Sequence, residues 1–124
     1  MAELIVNAKR RNTVPEKLSS IVKKMATSVL RKKDASPKAI AIALEMTHVA
    51  WNFADEDYME EPGYIHGVRE IEESMSSLKD EFIEDDAEKL IEKLIKHKRD
   101  KYPKDRRTIF LCEYKDGNIK VNSL

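Results

Sequence analysis

The chain of 124 residues carries 23 basic and 23 acidic side chains, is 41% apolar and holds a single cysteine. That length suits one domain spanning 1–124, large enough to bury a core without a disulfide or metal staple, and one cysteine excludes a disulfide framework or an all-cysteine zinc site. The opening residues carry no apolar core of secretory-signal length, and the most apolar stretch, 39–54, is broken by Glu45, His48 and Asn52 and falls short of the ~20 residues of a membrane span, so a folded cytoplasmic protein with no membrane partner is expected.

Near the N-terminus, Leu4-Ile5-Val6 is the candidate for a short strand at about 3–7. Thr13-Val14-Pro15-Glu16 then reads as a helix start, with Thr13 as cap, an early proline and Glu16 at capping-box spacing. Apolar residues follow at 14, 18, 21, 22, 25, 29 and 30, one helical stripe. Ser36-Pro37 caps a second helix over about 37–55, apolar around most of its circumference and therefore central and buried. Trp51, Phe53, Ile42, Met46 and Val49 should all lie in the core.

Residues 56–67 read as a loop with a Pro62-Gly63 turn. A third helix should carry Val68, Ile71, Met75, Leu78 and Phe82 on one face. A fourth starts at Asp85 or Asp86, presents Ala87, Leu90, Ile91, Leu94 and Ile95, and ends in a cluster of lysine and arginine before Tyr102-Pro103. Over about 107–123 the period changes to two, around Asp116-Gly117, a strong hairpin signal. The register pairs Tyr114 with Ile119, Glu113 with Lys120 and Cys112 with Val121. It sets Phe110, Cys112, Tyr114, Ile119 and Val121 on one face and leaves Ile109 and Leu111 on the other. The expected fold is mainly helical α+β: about four helices around the central one, with a C-terminal β-hairpin and the N-terminal strand as a candidate third member.

The zero net charge is segregated. Residues 1–39 hold 10 basic and 3 acidic residues, 40–88 hold 2 and 15, and 89–124 hold 11 and 5. The two basic ends could pair with the acidic middle, or build a nucleic-acid face from Lys23, Lys24, Arg31, Lys32, Arg99, Arg106 and Arg107. A helix-turn-helix is excluded, because the second helix would offer Ile40, Ile42, Leu44 and Met46 to the bases.

Glu45, His48, Asn52 and Asp55 are spaced 3, 4 and 3, and so share one face of the second helix. Such a stripe on an apolar helix is either wetted or functional. As a site, His48 would be general base or metal ligand. Glu45 and His66, or Glu70 one helical turn beyond His66, would complete a mononuclear metal set. Only one Glu-x-x-His is present, which excludes the carboxylate-bridged dimetal bundle. The acidic loop from Asp55 fails the EF-hand pattern at Met59, Glu60 and His66. Cys112 reads as a buried structural cysteine, and no nucleophile elbow, Walker lysine or His-Glu-x-x-His occurs. The expected function is a small non-enzymatic interaction or regulatory protein without a cofactor, binding a protein partner or itself as a homodimer or larger oligomer. A nucleic-acid accessory role on the basic segments and a metal-dependent enzyme on the Glu45/His48 stripe are the alternatives.

Overall fold

The structure, a computed structural model, describes residues 17–54 and 57–124. Helix α1 (Leu18–Ser28) buries Leu18, Ile21, Val22, Met25 and Ala26, the spacing its apolar stripe predicts. The candidate N-terminal strand at 3–7 and the Thr13 cap lie outside the described residues. Helix α2 (Pro37–Phe53) begins as expected: Ser36 Oγ accepts from the Ala39 amide at 3.2 Å and Pro37 occupies the first turn. It packs against α1, α3, α4 and β1, and so is the central helix. Trp51 is 3% exposed, with Ile42 and Met46 also buried. Val49 and Phe53, expected in the core, are only half-buried and pack on its edge.

Helix α3 corrects the reading of Pro62-Gly63 as a turn. Its range is Pro62–Met75, with the proline in its first turn, where a missing amide costs nothing. Gly63 and Gly67 serve helix packing: a Cβ would meet the Phe53 ring at 3.1 Å at the first and Val49 Cγ2 at 3.1 Å at the second. The helix also stops sooner than its apolar spacing implied. Leu78 and Phe82 fall beyond it, around a 3-10 turn at Lys79–Glu81.

Phe82, wholly buried, instead joins Leu30 in an isolated antiparallel bridge. Around it the Arg31 amide donates to the Glu81 carbonyl at 2.8 Å and the Ile83 amide to the Val29 carbonyl at 3.0 Å. The Glu81 carboxylate accepts from the Ser36 amide and Oγ, both at 2.8 Å. These two bonds hold its carboxyl below the usual carboxylate range. The α1–α2 turn is thereby stitched to the segment before α4.

Helix α4 (Ala87–Lys101) is capped by Asp86, whose carboxylate accepts from the Glu88 and Lys89 amides. Strands β1 (Ile109–Lys115) and β2 (Asn118–Ser123) form an antiparallel hairpin. The pairs Tyr114–Ile119, Glu113–Lys120 and Cys112–Val121 are as expected. Asp116 at φ 50° and Gly117 at φ 80° make the turn, and positive φ at both central residues matches the twist of a two-residue hairpin.

One irregularity reverses an assignment: the register shifts between Ile109 and Leu111. This bulge lets two β1 residues face one on β2 and rotates the root of the strand. Ile109 therefore turns inward, 1% exposed, and Phe110, expected inside, is 56% exposed. Cys112, Tyr114, Ile119 and Val121 cover the helices. The result is a mainly helical α+β fold of four helices and one hairpin among the described residues, and none of those helices is long and apolar enough to cross a membrane.

Candidate functional site

The polar stripe of α2 faces the root of the hairpin. Asn52 Nδ2 donates to the Ile109 carbonyl at 2.7 Å, and the Ile109 amide donates back to Asn52 Oδ1 at 2.9 Å. The Asn52 carboxamide thus makes the pair of bonds a neighbouring strand would make. Thr108 and Leu124 exchange backbone bonds on the ladder side, so Ile109, next along β1, turns its own backbone groups away from β2 and toward α2.

His48 Nε2 lies 3.0 Å from the same Ile109 carbonyl. A carbonyl only accepts, so Nε2 carries the proton, and both oxygen lone pairs are used. Trp51 Nε1 donates to the Arg107 carbonyl at 2.7 Å. Four hydrogen bonds from three side chains of one helix therefore fasten the start of β1.

Lys98 completes this fastening from α4. It is 1% exposed, donates to the Tyr102 and Asp105 carbonyls at 2.9 and 2.7 Å, and sits 4.7 Å from the centre of the Trp51 ring. By composition it belongs with the basic residues at the helix end. Its spacing was informative all the same: four residues after Leu94 and seven after Ile91, it continues the apolar stripe.

The other stripe residues make a shallower arrangement. Glu45, His48 and Glu70 line an open hollow of about 190 Å³ between α2 and α3, with Val49, Gly67 and Ile71. Desolvation, and then the nearby Glu70 carboxylate, raises the Glu45 carboxyl above its ordinary range. Burial lowers the His48 imidazole, partly offset by its bond to Ile109. Burial and the Glu45 charge push the Cys112 thiol up to about 12, so at neutral pH it is a protonated thiol, not a nucleophile.

His66 does not line this hollow. It lies exposed on α3, 3.1 Å from Glu70, the one-turn neighbour its spacing indicated. Asp55 lies outside the described residues. Among the described residues no three His, Cys, Asp or Glu side chains gather as a metal site would need.

The basic residues divide between two places. At the hairpin root, Arg107 pairs with the Asp105 carboxylate, Nε to Oδ1 at 2.9 Å, which lowers the Asp105 pKa and raises that of Arg107. Arg99 donates to the Ala54 carbonyl and lies 5.5 Å from the Tyr58 ring centre. Arg106 is exposed nearby in the chain. At the opposite end, Arg31 donates to the Phe82 carbonyl at 3.2 Å, Lys24 is an exposed residue of α1, and Lys23 and Lys32 border a groove.

That groove was not visible in the sequence. It has a volume of about 380 Å³ and runs between α1, the start of α2 and the hairpin tip. Lys23, Lys32 and Lys33 supply its charge. Leu30, Ile40, Tyr114 and Ile119, all half-buried and packed on the core, supply its apolar surface. Among the described residues no carboxylate lines it. No protein-family model matches this chain, and neither a curated protein nor a solved structure is significantly similar to it.

Proposed function

We propose that this is a small non-enzymatic interaction protein whose binding surface is the groove between α1 and the hairpin. One observation carries the reading: a groove with half-buried aliphatic residues beside three lysines and, among the described residues, no acidic side chain. Concave sites that join apolar surface to a few convergent polar groups are the usual form of a binding site.

The most organised polar constellation in the described chain, Asn52, His48 and Trp51, spends its hydrogen bonds on the hairpin backbone. It supports scaffolding better than catalysis. A nucleic-acid surface is supported less well. Arg31, Arg99 and Arg107 each bind a group of their own chain, and the groove and Arg107 are separated by the length of the hairpin, about 20–25 Å at the usual strand rise.

A cytoplasmic location belongs to the same reading, supported by the free Cys112, a thiol that a reducing compartment preserves. Self-association also belongs to it, supported by Phe110 at 56% and Leu124 at 86% exposure. Sedimentation equilibrium would show it as a mass above the monomer that Phe110→Ser reduces.

A photo-crosslinking residue placed at Asn118, in the groove, and at Lys93, exposed on α4, tests the reading in cells. The expected result is a discrete crosslinked protein from Asn118 alone, re-formed when that protein is purified and mixed with this one. Equal yields from both positions would overturn the groove as the binding surface.

A further inference from the structure

We propose that the groove receives an acidic segment of a partner protein studded with aliphatic side chains, an inference that rests on the groove being the binding surface. Charge complementarity identifies the occupant. Lys23 belongs to α1, and Lys32 and Lys33 to the turn that follows, and all three line the same hollow. The Lys32 charge also bears on Glu81 outside the groove, which leaves Lys23 and Lys33 as the main anchors for an incoming carboxylate.

The uncharged part of the lining decides between two anionic classes. Leu30, Ile40 and Ile119 offer aliphatic surface that a Leu, Ile or Val side chain would cover. A single-stranded nucleic acid would need a series of aromatic platforms, and among the described residues Tyr114 is the only aromatic in the lining. Carboxylates flanking an aliphatic residue satisfy both halves of the groove. The tip leaves room for such a chain, since no described residue lies within 4 Å of where a Cβ on Gly117 would stand.

Lysine-rich recognition of this kind works through long-range attraction and is weakened by salt. The test is amide chemical-shift mapping on the full chain with three short probes: a Glu/Leu peptide, a Lys/Leu peptide of the same apolar spacing, and an oligothymidylate. The expected result is that the Glu/Leu peptide alone shifts Lys23, Leu30, Gly117 and Ile119. Its affinity should fall about tenfold or more between low and high salt. The triple change Lys23→Gln, Lys32→Gln and Lys33→Gln should weaken it comparably without moving the thermal midpoint.

Binding of the Lys/Leu peptide in the groove, or salt-indifferent binding of both peptides there, would overturn the acidic partner and leave the groove as the binding surface. Tighter binding of the oligothymidylate would overturn it in favour of nucleic acid. Absence of groove shifts with every probe would overturn both the inference and the function beneath it.

Discussion

Asn52 shows how much one carboxamide can settle. Replacing it by leucine keeps the volume and strands the Ile109 amide, while the Ile109 carbonyl keeps only His48. An unsatisfied buried backbone group costs about 1–3 kcal/mol. Asn52→Leu should therefore lower stability by about 2–3 kcal/mol in urea melts, with hydrogen exchange accelerated at Ile109 before the helices. Unchanged exchange at Ile109 would mean the clasp carries little.

Beside it, His48 sets a pH dependence. Its folded pKa lies below 6.5, so the native state prefers the neutral ring. The unfolded chain binds more protons just under that value, and stability falls as pH drops from 6.5 toward the folded pKa. Glu45 has the opposite sign: its folded pKa lies above 4.5, and stability falls as pH rises from 4.5 through that raised value. His48→Gln should flatten the decline just below 6.5 and leave the lower limb in place, as urea midpoints across the mildly acidic range would show.

At the scale of elements, the glycines have two causes, a turn and close helix packing, and substitution separates them. Gly117 has φ +80° and open space around it, so Gly117→Ala meets only backbone strain, about 1 kcal/mol. Gly67 is helical and tight against Val49. There the gain in helix propensity, about 1 kcal/mol, opposes a shift of a few tenths of an ångström, and Gly67→Ala should change stability much less. Paired thermal melts check the contrast. If Gly67→Ala proved the more damaging of the two, the α2–α3 contact would be far stiffer than its single close approach implies.

The elements also show which rules could be read along the chain. Periodicity located the four helices, and Asp116-Gly117 located the hairpin with its register, because those signals are local. The end of α3 was misjudged because Leu78 and Phe82 keep helical spacing but are buried by the bridge to Leu30, a contact between distant residues. Likewise the bulge that exchanges Ile109 and Phe110 follows from docking β1 on α2, and no short window of sequence contains both.

Over the whole molecule, the sequence singles out Glu45, His48 and Asn52 but offers them only two explanations, water or chemistry. For His48 and Asn52 the arrangement is a third, polar side chains on an apolar helix that satisfy the backbone of another element, whereas Glu45 lines an open hollow. The groove was illegible because its lysines and aliphatic residues come from α1, the turn after it, α2 and the hairpin, and only the folded chain brings Leu30, Ile40, Tyr114 and Ile119 side by side.

The clasp between Asn52 and Ile109 also has a consequence in time. It joins residues 57 apart in the chain, whereas the connection between α1 and α2 is only the eight residues 29–36, and closing the longer loop costs more entropy before any bond rewards it. The helices should therefore assemble first and the hairpin should lock on after the folding barrier. Asn52→Leu would then multiply the unfolding rate and hardly slow refolding, a division that stopped-flow chevrons resolve. A refolding rate reduced as much as the equilibrium constant would put the clasp inside the nucleus, and make the hairpin a cause of the helical assembly in place of its last arrival.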